Sequence, residues 1–512
     1  MTARNSRGFL DLARRPGNSV PRNGAFTSLG RAVLIILGVL PLLALSEVAK
    51  ALGPAAGLAL PASAVPIPVG SHAQSIVEAN PPGTTFIFGS GVHRLQQIIP
   101  RTGDRFLGAP GARLNGAVIL TMPSQLGGGF VFDGVTPHSQ AERHGQCQPA
   151  YPRCDRPFAL FLGDQPLRAV ARLEDVAPGT WFFDEDRGRI HVANNPSGQT
   201  AELTHTPFAF GGNARDVTIE NLTVEKYASG NQRGAINHRG AGIGWTIRNN
   251  DVLRNYGYGI AMGAGNRAIQ NRANHNGQLG IGGGTARGML VEGNEIAFNA
   301  WNGVDCDWEC GGAKWGAVTD LVLRGNHVHH NRGVGLWTDD QCSNVVFADN
   351  LIEWNARAGI SHEISQRAVI RNNRLISNGT EGSTWGWNGQ IQIQNSQNVE
   401  IYGNQLELDA ARGGNGLILI QQDRGPGLGL RNIAVTGNTL IMRGGDGTLA
   451  GWFADFDPKT VSTSNIRFES NHYLVFSLEF SNDAWSNNMA LTFQQWQAAG
   501  FDRFGAAEIA RP

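Results

Sequence analysis

Charge is what this sequence has least of. Only 16% of its 512 residues are Asp, Glu, Lys or Arg, and acids and bases balance at 42 each. A chain without a net field has no electrostatic footprint for nucleic acid, so none is expected as a partner. Cysteine is scarce, at five residues. "HVHHN" (His327, His329, His330) has no accompanying Cys/His spacing of the zinc-binding kind, and no metal site is expected there. No serine sits in a nucleophile elbow, and no glycine loop joins a strand to a helix as phosphate binding requires. Nor is there an apolar run of the roughly 20 residues that span a bilayer. The best is "AVLIILGVLPLLAL" at 32–45, preceded by six arginines from Arg4 to Arg31 and opposed only by Asp11. A basic stretch before a short apolar run reads as a secretory signal, with Ala62 and Ala64 of "PASAVP" as its Ala-x-Ala site. The rival is an uncleaved inner-membrane anchor with the bulk of the chain outside. Either way the remainder is expected outside the cytoplasm, touching membrane only through this segment.

Glycine, by contrast, is abundant: 68 residues, about twice ordinary usage. Many fall in a repeat. An apolar-x-x-Asn unit recurs at Asn250, Asn271, Asn294, Asn326, Asn350, Asn373, Asn404, Asn438 and Asn471. A second Asn follows five residues later at Asn255, Asn276, Asn299, Asn331, Asn355 and Asn378. A Gly-apolar pair follows that: Gly259-Ile260, Gly280-Ile281, Gly303-Val304, Gly335-Leu336 and Gly359-Ile360. A basic period of 21–24 residues, with short alternating strands and turn residues between them, describes one coil of a parallel β-solenoid. Asparagine suits its turns because it tolerates left-handed backbone and can stack as hydrogen-bonded ladders. Leucine-rich repeats and propellers need signatures that are absent.

These repeats resemble the right-handed parallel β-helix of pectate-lyase-like carbohydrate-active proteins. "GTTFIFGSGVHRLQQIIP" is similar to the N-terminal coils of that family, and "PGTWFFDEDRGRIHV" (178–192) to a small β insertion in β-helix glycosidases. The resemblance implies an all-β fold, a solenoid of about 21–24-residue coils. The expected organisation is a signal or anchor and linker (1–66), N-terminal coils (67–135), an inserted small β subdomain (136–205), the main β-helix (206–480) and a C-terminal tail (481–512). It says little about chemistry, since one fold hosts hydrolases, lyases, epimerases and adhesins.

Counting each coil from its glycine, alternation puts positions +2 and +4 on the outer face. Position +4 then reads Gly263, Gly284, Asp307, Asp339, Glu363. Three carboxylates on successive coils, about 5 Å apart, would repel one another. Such a column calls for a substrate, a shared proton or a cation. Asp305 and Asp340 flank it, so Asp307, Asp339, Glu363, Asp305 and Asp340 are the candidate catalytic residues. Trp337 at +2, His362, Lys314 and Gln392 are the candidate substrate-binding residues. His362, at +3, should face inward unless a bulge re-aims it. Two Trp-bearing insertions, 307–317 and 379–389, border the acids, and Gln390, Gln392 and Gln394 are expected outward. Cys147 and Cys154 can pair. Cys310 and Cys342 are expected to bridge neighbouring coils, leaving Cys306 free in the core; a Cys306–Cys310 bridge would mean that the register there is wrong.

The leading expectation is an exported, monomeric enzyme acting on a polysaccharide or cell-surface glycan, a glycoside hydrolase using paired carboxylates. One alternative is a uronate lyase or C5-epimerase, with Ca²⁺ held by the aspartates and Lys314 or an Arg as base; no basic row opposite the acids is visible to favour it. The other is a non-catalytic carbohydrate-binding or cell-surface solenoid.

Overall fold

The computed structural model describes residues 63–136, 143–382, 385–410, 414–445, 447–476 and 484–509. The apolar segment 32–45 lies outside them, as does Ala62 of the Ala-x-Ala motif, while Ala64 is described. Among the described residues no helix is long and apolar enough to cross a membrane.

Three long sheets build the solenoid of the described residues. Two have 13 strands each and one has 11, and along the coils successive strands pair in parallel. From Thr218 on, each coil contributes one strand to each sheet: Thr319–Arg324, His327–His329 and Val334–Asp339, for example. The inward residues are aliphatic and stack coil upon coil, as in Ile281, Ala313, Leu336, Ile360 and Ile391, all at most 1% exposed. Burial of such columns is the main source of the fold's stability.

The asparagines form two ladders. Asn326 Nδ2 donates to Asn350 Oδ1 at 3.0 Å and to the Val291 carbonyl, while Asn326 N donates to the same Asn350 oxygen. The pattern repeats from Asn250 to Asn471, which ends on Asp502. The second ladder runs from Asn255 to Asn378 and ends on Gln390, whose Oε1 takes the place of the next asparagine. Gln390 is therefore fully buried in the ladder, not outward as its alternation suggested.

The insertion leaves the helix earlier than the boundary at 136. Ala117–Leu120 already pairs antiparallel with Ala201–Thr204, and a four-stranded and a five-stranded sheet lie between. At the other end the tail still belongs to the coil, because Ala506–Ile509 adds to the sheet beside His472–Val475. A short helix, Phe493–Ala498, with a Thr492/Gln495 capping box, buries Trp496 against Phe468.

Candidate functional site

The site lies on the outer face of the 11-stranded sheet, where the coils of Gly311–Gly316, Val334–Asp339, Ile360–Glu363 and Gly389–Gln394 are neighbours. One outward column reads Lys314, Trp337, Ser361, Gln392. The next, two residues on, pairs Gly316 with Asp339 and Glu363 with Gln394. Since Thr338 pairs with His362, Asp339 and Glu363 face each other across adjacent strands.

Asp307 is not in that column. Gly312-Ala313, not Gly303-Val304, is the Gly-apolar pair of its coil, so Gly316 occupies the place beneath Asp339. The loop comes before the strand: Cys306–Glu309 forms a single helical turn, capped by the Asp305 carboxylate at the Asp307 N–H. Asp305 is thus a cap. Asp307 is largely exposed, paired with Arg357 Nη1 at 2.6 Å. The regular four-residue step from Asn299 to Gly303 concealed the loop. The disulfides follow from this register. Cys147 bonds Cys154, and Cys306 bonds Cys310, not Cys310 to Cys342. Cys342 is the free, buried thiol, pushed up to about 11 by burial.

Displacing Asp307 brings Glu309 and Lys314 in. Lys314 Nζ lies 3.0 Å from Asp339 Oδ2 and 4.0 Å from Glu309 Oε2, and donates to the Trp308 carbonyl. It also sits 3.6 Å above the Trp337 ring. Glu309, only 8% exposed, accepts from Tyr258 Oη and from Gln232 Nε2 at 3.0 Å. Trp337 faces outward as its register requires, but the lysine covers one ring face, so it offers no open platform. Its indole N–H donates to Glu363 Oε2 at 3.1 Å, and Arg424 Nη2 lies 2.8 Å from the other oxygen. Burial, then the neighbouring Asp339 charge, pushes the Glu363 carboxyl up to about 7 against the pull of Arg424 and Lys314. Here burial and repulsion outweigh a close cation.

Two cavities meet at this pair. One of about 410 Å³ is lined by Gln232, Tyr258, Gly284, Lys314, Gly316 and Asp339, with Asp340 at its edge. The other, about 720 Å³, is lined by Trp337, Ser361, Glu363, Trp387, Gln392 and Arg424, with Asp307 and Arg357 at its rim. His362 lines neither. It is fully buried in the core, bonded to Thr338 Oγ1 and driven down to about 3 by burial, so it is removed from the candidate substrate contacts. Cations do face the acids: Lys314, Arg357 and Arg424 come from three different coils and loops. Lys314 was among the sequence candidates; sequence order had hidden Arg357 and Arg424. Arg424 stands 61 residues after Glu363, in the glycine-rich loop "DRGPGLG". Among the described residues no group of three or more His, Cys, Asp or Glu is arranged to hold a metal ion.

Residues 234–406 match the family described as the right handed beta helix region. No curated protein matches the chain. Among solved structures, XylC in complex with xylose is 14% identical, with a TM-score of 0.62 over 79% of this chain and 80% of that one. The A-module of the mannuronan C-5 epimerase AlgE4 of Azotobacter vinelandii is 13% identical (TM-score 0.46, 86% and 92% covered). PfbA, a surface adhesin of Streptococcus pneumoniae, is 9% identical (TM-score 0.42, 80% and 85% covered). The chain is a right-handed parallel β-helix protein of the pectate-lyase-like fold.

Proposed function

We propose that the protein is an exported glycoside hydrolase acting on a polysaccharide or its fragments, with Asp339 and Glu363 as the reacting pair. The observation that carries this reading is the unequal setting of two facing carboxyls. Asp339 is paired with Lys314 at 3.0 Å, while Glu363 is pushed up to about 7 and so keeps its proton in mildly acidic solution. A raised carboxyl beside a cation-paired one is the arrangement acid–base chemistry at a glycosidic bond needs. Neighbouring strands stand about 4.8 Å apart, which suits the roughly 5–5.5 Å of a retaining mechanism. In that mechanism Glu363 protonates the leaving oxygen as Asp339 attacks the anomeric carbon. Glu363 then takes a proton from the water that releases the sugar. Two disulfides agree with an oxidising compartment, and with it export by the N-terminal segment. The neighbour bound to xylose supports a sugar ligand on this fold and places xylosides in the first panel to test.

A second reading is favoured by one observation. Lys314, Arg357 and Arg424 surround the acids, as a uronate lyase or epimerase would need to neutralise a substrate carboxylate. A panel of neutral and acidic glycans separates the two. New reducing ends without absorbance at 235 nm support hydrolysis. Absorbance at 235 nm supports elimination and overturns the hydrolase; neither signal on any glycan overturns hydrolase and lyase alike, and an unchanged uronate composition by NMR then overturns the epimerase.

A further inference from the structure

Polar side chains packed this deeply ordinarily have partners. On the floor of the larger cavity three atoms have none among the described residues. Ser361, Gln392 and Gln394 are 2%, 6% and 3% exposed, and all three line the cavity that holds Glu363. No hydrogen bond engages Ser361 Oγ among the described residues. Gln392 Oε1 accepts from the Asn388 N–H at 3.1 Å, which fixes the amide and leaves Nε2 without an acceptor. The third case is settled by a relay. Asp455 can only accept, so Gln422 turns its Nε2 to it at 3.2 Å and its Oε1 to Gln394 Nε2 at 3.0 Å. Gln394 Oε1 is then the atom left over.

The three are ordered by the sheet. Ser361 and Gln392 face each other across adjacent strands, and Gln392 and Gln394 are alternate residues of one strand on the same outer face. Gln394 itself is the strand neighbour of Glu363. The floor therefore presents a hydroxyl that gives and takes, a donor and an acceptor, side by side. A sugar hydroxyl also gives and takes, so adjacent hydroxyls on one ring match this set. A carboxylate does not, since Gln394 Oε1 would repel it.

We propose that Ser361, Gln392 and Gln394 form a hydroxyl-reading subsite beside Glu363, which takes a neutral sugar ring with adjacent free hydroxyls. This rests on reading the groove as a sugar site, but not on the reaction. A site built to bond a hydroxyl discriminates strongly against the analogue that lacks it, because its buried atoms stay unpaired. Calorimetry on the full-length chain with xylose, glucose, galactose, mannose and arabinose, followed by deoxy analogues of the best binder, tests it. The expected result is that one of these sugars binds, and that S361A, Q392A and Q394A each weaken it about tenfold, the factor that the loss of one good hydrogen bond gives. Removing the matching hydroxyl from the sugar should then cost the variant nothing further. The deoxy series on the unchanged chain gives the same reading if a variant fails to fold. Binding by none of the five, binding indifferent to the variants, or losses that simply add would overturn the subsite. Binding without turnover would overturn the hydrolase reading and leave the subsite standing.

Discussion

Two kinds of polar column run along this solenoid, and they are built on opposite terms. In the asparagine ladder each side chain gives its amide hydrogens to the next coil and to a carbonyl, and receives a backbone N–H in return. Nothing is left for a visitor. On the outer face of the third sheet, Asp339 and Glu363 stand carboxyl to carboxyl, an ammonium covers an indole, and three polar atoms of buried side chains have no partner among the described residues. The ladder spends its polarity on the fold, whereas the face keeps it for something outside. The contrast predicts opposite responses to substitution, since a site strained for function gains stability when it is neutralised and a satisfied network loses it.

The largest effect should fall on the reaction. Asp339→Asn is expected to lower kcat on the order of 10³-fold, within the range that follows loss of an acid–base or nucleophilic group, with the denaturation midpoint unchanged or higher. Glu363→Gln should do the same to natural glycans. Aryl glycosides whose leaving groups need no proton should keep a fast first step, with release of the sugar slowed because no base remains for the water. An Asp339→Asn variant that keeps full activity would remove the pair from the chemistry.

Next comes the ladder. Asn350→Ala strands the Asn326 backbone N–H and removes one bond each from the Asn326 amide, the Leu323 carbonyl and the Asn373 side-chain oxygen in a dry interior. Buried groups stranded in this way cost about 1–3 kcal/mol each, so a loss of about 3 kcal/mol in denaturant unfolding is expected. If the midpoint does not move, the ladder is ornament and the contrast fails.

The ladder was also what made the fold readable. Asn350, Asn373 and their fellows recur because each must meet the one before, and a periodic physical constraint leaves a periodic sequence. The site was half legible for the same reason. Asp339, Glu363 and Trp337 lie on coils that keep the repeat, and their outward register could be counted; Gln392 follows an insertion and was placed only by the alternation of its own strand. Asp305 and Asp307 were misplaced because a loop slips in between Asn299 and its strand, and the next glycine happens to stand at the usual distance. The length of the coil, 32 residues from Asn294 to Asn326, showed that an insertion exists but not on which side of the strand. Arg424 could not be found by counting, because it reaches Glu363 from a loop two coils further on. Ser361 gave no signal of its own; a serine on a strand becomes informative only when its partners are found missing.

The pH dependence of stability sharpens the contrast further. Glu363 is held at about 7, above its ordinary 4.5. Between those values the folded protein keeps a proton that the unfolded chain has released. Its contribution to stability is therefore complete below about 4.5 and is lost as pH rises through 7. Melting temperature should fall over that window in the parent chain and fall less in Glu363→Gln. The same group should set the alkaline limb of the rate profile near 7. Equal slopes in the two proteins would mean that Glu363 titrates in the ordinary range.

The smallest effect expected concerns two glycines. Most glycines of the outer face are required by packing: a Cβ on Gly282 would meet the Tyr258 ring at 2.6 Å. Gly316 is different. Its backbone is not left-handed, and a Cβ there would meet nothing within 4 Å. Gly284, one coil earlier, would meet only the Gly316 carbonyl at 3.3 Å. Neither conformation nor packing asks for glycine at Gly316, yet it lies beside Asp339 on the floor of the smaller cavity. The remaining reason is room for a ligand that continues past the reacting pair. Gly316→Leu should therefore leave stability unchanged or slightly raised, because it removes freedom from the unfolded chain. It should lower kcat/KM for oligosaccharides by about tenfold, the order of one lost subsite contact, while a short aryl glycoside that does not reach this cavity keeps its rate. Equal losses on long and short substrates would mean that the leucine disturbs Asp339 itself. No loss on either would confine the substrate to the larger cavity, with the groove closed at Asp339.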